Sequence, residues 1–308
     1  NRRGYAPTLM CHQCGWVADC RRCDAHMTIH RRPEGLHCHH CDLARPLPKV
    51  CPACQSEQLM QLGVGTERLE AVLQEQFAGY PILRVDRDTT TKKGALQGYL
   101  DTISQGGAQL LIGTQMLAKG HHFPDLTMVA IIDADSGLFS SDYHAPARLA
   151  QLVIQVAGRA GRGDTPGEVY IQTHHPSHPL LTQLLHEGYH ACIGSLIDER
   201  KEAGLPPFSS IALLSAKSKQ LGVAMNFLKD CKAELMASAP NGFYAMGPII
   251  APMARKAGLY QCQLLVQSQH RGALHQQLTR LRKRLSDAKQ TRGVRWVLDV
   301  DPIDLFQS

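Results

Sequence analysis

The chain has 308 residues, 44% of them hydrophobic and 19% charged, an ordinary globular composition with enough apolar material for packed cores. Its length suggests about two domains, and no apolar run reaches the roughly 18 residues that a membrane-spanning helix needs. With no apolar signal region behind Asn1-Arg2-Arg3-Gly4, the expectation is a soluble, cytoplasmic chain with no membrane partner. Net charge is +6 with a sequence pI near 8.8, a modest excess that suits a polyanion such as nucleic acid but is shared by many enzymes.

The first sharp signal lies at the N-terminal end. Eight of the eleven cysteines fall between Cys11 and Cys54, all as C-x-x-C pairs: Cys11/Cys14, Cys20/Cys23, Cys38/Cys41 and Cys51/Cys54. A C-x-x-C turn aims two thiolates at one tetrahedral metal. Zinc is the expected ion, with an iron–sulfur cluster or rubredoxin-like iron, and disulfides, as the alternatives. The inner two pairs are separated by fourteen residues, close to the spacing of a zinc ribbon, and the other spacers are only five and nine. That favours a nested arrangement, with Cys20, Cys23, Cys38 and Cys41 on one ion and Cys11, Cys14, Cys51 and Cys54 on the other. With eight thiolates available, His12, His26, His30, His37, His39 and His40 are expected to be solvated. Sites with no open coordination position are structural, and a region this small draws its folding energy from the metal.

After Cys54 the texture changes to short apolar runs alternating with amphipathic stretches. Helices are predicted over 67–77, 95–104 and 146–157, and strands over 81–86, 109–113, 128–133 and 167–173. The strands at 109–113 and 128–133 are apolar enough to be buried parallel strands. The stretch 174–204 reads as helix after the loop HHPSHP. Pro206-Pro207 then punctuates the chain, and a second unit follows: strand 211–217, helix 222–237, strand 263–267, helix 272–289 and strand 294–300. The fold class is therefore α/β, a parallel-sheet layered domain followed by a small α/β sandwich.

Three segments carry chemistry. Gln155-Val-Ala-Gly-Arg-Ala-Gly-Arg162 is a helix running into a glycine turn that presents two guanidinium forks, groups whose geometry matches phosphate oxygens. Ile112-Gly-Thr-Gln-Met-Leu-Ala-Lys-Gly-His-His-Phe-Pro124 follows an apolar strand, where Gly113 and Thr114 let backbone amides and a hydroxyl approach a phosphate. Ile131-Ile-Asp-Ala-Asp-Ser136 places carboxylates at a strand end, a weak signal because Asp there often caps a helix. No G-x-x-x-x-G-K-[ST] and no D-E-x-H occurs in the sequence, and the nearest glycine-rich stretch, Gly63-Val-Gly-Thr66, lacks the lysine for β/γ-phosphates.

In this order and spacing the segments resemble motifs V and VI of superfamily 2 helicases. Adding N-R-R-G-Y before the cysteines, G-V-G-T-E-R at 63–68 and W-V-L-D-V-D-P-I at 296–303, the chain resembles the PriA family of replication-restart helicases from end to end. The resemblance implies a RecA-like helicase lobe 2 over 1–10 and 55–204, a two-zinc insertion over 11–54, and a C-terminal α/β domain over 205–308. It also implies the nested cysteine pairing. It further implies a 3′→5′ DNA helicase that recognises stalled forks, acts as a monomer, and works with single-stranded-DNA-binding protein, PriB, DnaT and the replicative helicase. On motif match, Arg159 and Arg162 are the arginine fingers on ATP, Gln155 and Gly158 shape their turn, and Gly113 and Thr114 join nucleotide to DNA backbone. Candidate DNA contacts are Lys119, Arg255, Lys256, Arg280 and Lys283, the last two on a helix whose basic face could equally be solvated. The family's Arg- and Trp-rich segment falls near Leu259-Tyr260-Gln261-Cys262, where this chain is poorer in both. ATP and Mg²⁺ are expected to bind only together with a first motor lobe, so the chain by itself is expected to be inactive. The rival readings are a standalone zinc-ribbon binding module for DNA or protein and a C-x-x-C redox protein.

Overall fold

The computed structural model describes residues 8–31, 34–62, 65–86, 89–90, 94–104, 106–114, 123, 126–140, 142–158, 160, 167–286, 293–303 and 305. They form two compact units: residues 1–20 with 26–192, and residues 21–25 with 193–308.

The first unit begins with strand β1 (Thr8–Cys11), which pairs antiparallel with β5 (Leu59–Leu62) so that Cys11 stands opposite Leu59. The chain between them therefore leaves and returns at one point. Within that excursion β2 (Thr28–Arg31), β3 (Glu34–His37) and β4 (Ala44–Arg45) make a small antiparallel sheet. Its core is thin: among the described residues, Leu9, Ala18, Met27, Ile29 and Leu36 are the buried apolar side chains other than cysteine. Gly35 is required where β3 meets β4, because a Cβ there would lie 2.9 Å from the Arg45 carbonyl oxygen.

Beyond the excursion come α1 (Thr66–Gln76), β6 (Ile82–Val85), α2 (Ala95–Ser104) and β7 (Leu110–Gly113), then β8 (Met128–Ile131), α3 (Asp135–Leu138), α4 (Ala145–Ala157), β9 (Glu168–Ile171) and α5 (Pro179–His186). β6 pairs parallel with β7 and β8 parallel with β9, each pair joined by a helical crossover as parallel pairing demands. The expectation of fully buried strands fails for β8. Met128 is 54% exposed and Tyr170, on β9, 55%, so this ladder alternates between half-buried and exposed positions. The reason is one-sided cover among the described residues: α4 packs against β8 and β9 through a face that buries Leu149, Ala150, Val153 and Val156. The single helix expected over 174–204 is two, α5 and α6 (Tyr189–Glu202), separated at Gly188, whose φ of +87° no helix accommodates.

The second unit runs β10 (Ser210–Ser218), α7 (Leu221–Ala237), β11 (Phe243–Lys256), β12 (Leu259–Ser268), α8 (Arg271–Leu285) and β13 (Arg295–Val300). The strands form one antiparallel sheet in the order β11-β12-β10-β13, the split β-α-β-β-α-β arrangement. Both helices cover it. Ala212, Leu214 and Ala216 of β10 and Cys262, Leu264 and Val266 of β12 interlock with Leu228, Cys231 and Leu235 of α7 and Leu274, Leu278 and Leu281 of α8. β11 was not expected as a strand. Pro248 and Pro252 sit in it, and it holds them because it is an edge strand whose register shifts between Met246 and Ile249 and again between Ile250 and Arg255.

Candidate metal centres

The eight cysteines gather as two groups of four, Cys11, Cys14, Cys51 and Cys54 in one and Cys20, Cys23, Cys38 and Cys41 in the other, with the four sulfurs of each within 4.8 Å of one another. Three of the four C-x-x-C turns share one backbone design. The N–H of Cys11, Cys38 and Cys51 donates to the carbonyl five residues on, that of Trp16, Leu43 and Ser56 respectively. The N–H of the residue after the second cysteine (Gly15, Asp42 or Gln55) returns to the carbonyl of the first cysteine. That residue takes a positive φ in each turn: +72° at Gly15, +57° at Asp42 and +62° at Gln55. Glycine does this at little steric cost, and aspartate tolerates it better than most side chains.

The fourth turn is held differently, within the second unit. Asp24 donates its N–H to the Arg255 carbonyl at 2.7 Å, the Gly258 N–H donates to the Arg22 carbonyl at 2.7 Å, and the Ala257 N–H donates to Cys23 Sγ at 3.2 Å. The tight β11–β12 turn thus supplies a hydrogen bond to a cysteine sulfur, the sort of outer contact that steadies a thiolate ligand.

The sulfur separations decide what the groups can hold. Cys11 to Cys54 and Cys14 to Cys51 are 3.6 Å, and Cys20 to Cys41 is 3.7 Å. A disulfide needs about 2.05 Å, and none of the eight cysteines is joined to another by one. Four sulfurs about 2.3 Å from a central zinc are about 3.8 Å apart, so both groups fit a tetrahedral ion closely. Left as thiols they would not all ionise: burial pushes Cys38 up to about 12, whereas the Cys14 backbone N–H draws Cys11 down to about 7. An ion binding there displaces protons and brings its own stabilisation of the thiolates. These are two structural zinc sites, each with four cysteine sulfurs and no vacant ligand position.

Three family models match the chain: "PriA DNA helicase Cys-rich region (CRR) domain" over residues 20–46, "Helicase conserved C-terminal domain" over 48–164, and "Primosomal protein N C-terminal domain" over 201–303. A replication restart protein PriA of Haemophilus influenzae is 47% identical over 305 residues, 99% of this chain and 42% of the relative. The Bacillus subtilis protein of the same name is 33% identical over 98% of this chain and 38% of its own length. The Synechocystis one is 36% identical over 86% and 32%. The chain belongs to the PriA family. It spans about two fifths of the first two relatives and a third of the last.

The helicase-type residues of this PriA-family chain distribute unevenly. Gly113 ends β7 opposite Val85, with Thr114 half-buried just beyond it. Gln155 is half-buried on the last turn of α4, and Gly158 closes that helix by donating its N–H to the Ile154 carbonyl at 2.9 Å. Arg159, Arg162 and Lys119 lie outside the described residues. Asp135 opens α3 and accepts from the Thr173 hydroxyl, from the His174 N–H at 3.0 Å and from His174 Nδ1 at 2.8 Å. These bonds, Thr173 first, hold its carboxyl down to about 2, so it ties the exit of β9 to the start of α3. Arg280 and Lys283 are exposed on one side of α8, while Arg284, also on α8, pairs with Glu234 of α7.

One cluster has no counterpart in the sequence reading. His30 was expected to be solvated but is 8% exposed, with its Nδ1 3.0 Å from Glu67 Oε1. Glu67 Oε2 accepts the Arg31 N–H at 3.0 Å, and Arg84 Nη1 lies 3.3 Å from Oε1. Thr66, fully buried, donates its hydroxyl to Asp86 Oδ2 at 2.8 Å. Burial would raise the Glu67 carboxyl, but the His30 and Arg31 donors and the Arg84 charge outweigh it and lower it. The Thr and Glu of G-V-G-T-E-R are therefore buried anchors, and the only hint of this in the sequence was a polar pair at the start of an amphipathic helix.

Proposed function

We propose that the chain supplies the second motor lobe, the zinc insertion and the C-terminal domain of an ATP-dependent 3′→5′ DNA helicase that recognises stalled replication forks and reloads the replicative helicase. The observation that carries this reading is the pair of nested four-cysteine sites set between β1 and β5, overlapping the start of a segment that matches a helicase C-terminal domain. The domain limits that go with it are 1–10 and 55–204, 11–54, and 205–308. Arg159 and Arg162 place their guanidinium forks on the phosphates of ATP held by a first lobe, at the end of the helix that Gly158 closes. Gly113 and Thr114, at the carboxyl end of β7, face the nucleotide side, the usual position of sites in parallel sheets. DNA contacts come from Lys119, from Arg280 and Lys283, and from Arg255 and Lys256. Register puts Arg255 and Lys256 at the same end of the sheet as Lys217 and Arg295. Burial and the nearby Lys256 charge both lower Lys217, an arrangement that a phosphate would relieve. Single-stranded-DNA-binding protein, PriB, DnaT and the replicative helicase are the protein partners.

ATP turnover requires the phosphate-binding motifs that this sequence lacks, so the purified chain is expected to show no DNA-stimulated ATPase. The decisive test is Arg162→Ala in the two-lobe protein. Arginine fingers contribute about 10³–10⁵ in rate, so turnover should fall by at least the lower figure while zinc stays at two per chain. Unchanged turnover would leave the standalone zinc-ribbon module as the better reading.

A further inference from the structure

We propose that His30, His37 and His39 form a third metal site, for a divalent transition ion such as Zn²⁺, separate from both four-cysteine sites. The three imidazoles each bring a ring nitrogen within 4.8 Å of the others. His30 Nε2 and His39 Nε2 are 3.1 Å apart, and two nitrogens bound to one tetrahedral zinc at about 2.0–2.1 Å are about 3.3 Å apart. The rings meet edge to face rather than stacked, with interplanar angles of 85°, 63° and 85° and centroids 5.7, 5.0 and 5.0 Å apart. A single N–H···N bond between His30 and His39 explains two of the rings, and the third ring's contact with the exposed Asp42, at 3.7 Å, is too long for a hydrogen bond to set its position.

The tautomer of His30 is set for ligation. Its Nδ1 faces Glu67, a carboxylate that only accepts, so Nδ1 carries the hydrogen and Nε2 keeps the lone pair toward the cluster. A buried carboxylate on the far nitrogen of a histidine is the arrangement that orients metal-bound imidazole. Glu67 is fixed in turn by the Arg31 N–H and by Arg84. His37 and His39 are only half-buried, which gives an ion a path in and room for a water as fourth ligand. Asp42 Oδ1 lies 3.7 Å from His37 Nε2 and adds negative charge beside the cluster. Imidazole ligands suit zinc, copper or nickel rather than magnesium or calcium. The ion would join β2 and β3 at the point where Glu67 already ties β2 to α1.

The experiment starts from the chain with its two thiolate-bound zinc ions, counted by elemental analysis, and titrates it with Zn²⁺ by calorimetry. One further equivalent should bind at micromolar concentration or tighter. His30→Gln and His37→Gln should each abolish it with the count of two retained, and Glu67→Gln should weaken it by about 10–100-fold. If His30→Gln also loses a thiolate-bound ion, His37→Gln decides. Co²⁺ added to the unaltered two-zinc chain gives an independent answer: d–d bands without sulfur-to-cobalt charge transfer support the site. No third equivalent below millimolar, an equivalent that survives both histidine substitutions, or new charge-transfer bands would overturn it.

Discussion

Replacing cysteines by serine in pairs turns the nesting of the two zinc sites into a count. Structural zinc in small domains binds with an apparent free energy of about 10–16 kcal/mol. Divided among four thiolates, that is about 2.5–4 kcal/mol each, or a roughly 10²–10³-fold weaker site when one is lost. Cys11→Ser should therefore release one zinc to a chelating resin. Because Cys54 Sγ lies 3.6 Å from Cys11 Sγ, adding Cys54→Ser should release no more. Adding Cys38→Ser to Cys11→Ser should instead leave no zinc, since Cys38 belongs to the other group. Elemental analysis after gel filtration reads the outcome directly. A Cys11/Cys54 double variant with no zinc, beside a Cys11/Cys20 double variant that keeps one, would mean neighbouring pairs share an ion and would refute the nested geometry.

Other expectations follow from single side chains. Arg84 is the cation among Glu67, Glu70 and Asp86, at 3.3, 3.3 and 3.6 Å; Arg84→Leu leaves buried carboxylates uncompensated and should cost about 3–5 kcal/mol in urea unfolding, a loss under 1 kcal/mol speaking against it. Asp135 is depressed to about 2, so its contribution to stability is present above pH 4 and is lost as pH falls toward 2. Asp135→Asn should flatten the acid limb of an unfolding profile in that window, and an unchanged limb would show that the Thr173 and His174 bonds contribute nothing. Gly35→Ala brings a methyl to 2.9 Å from the Arg45 oxygen. Strain of about 1–3 kcal/mol there should speed zinc release from the inner site and not from the outer one, as followed with a chromophoric chelator.

The parts of the fold legible in the sequence were those where periodicity runs long enough to be seen. α2 and α4 carry an amphipathic repeat, and β10 and β12 each carry a short apolar run, 211–214 and 264–266. The insertion strands β2, β3 and β4 are four, four and two residues long, too short for any repeat; the cysteine turns set their pairing. β11 was hidden by prolines that only an edge strand tolerates. The nested metal sites were readable because C-x-x-C spacing is itself geometry. The His30–Glu67 pair was not, since its members lie 37 residues apart and only the folded chain brings them together.

The ladder between β1 and β5 also bears on how the insertion and the lobe share stability. With Cys11 opposite Leu59, the chain from residue 12 to residue 58 leaves and returns through one closed neck, and the outer zinc clasps that neck. Entropy of a closed loop grows only by about 0.6 kcal/mol per doubling of its length. Lengthening a loop beyond the clasp therefore costs the lobe little, whereas melting β2 costs it the anchor that His30 and the Arg31 N–H make to Glu67 of α1. The outer zinc and Glu67 are two separate fastenings between the insertion and the lobe, one closing the neck and the other gripping the ribbon.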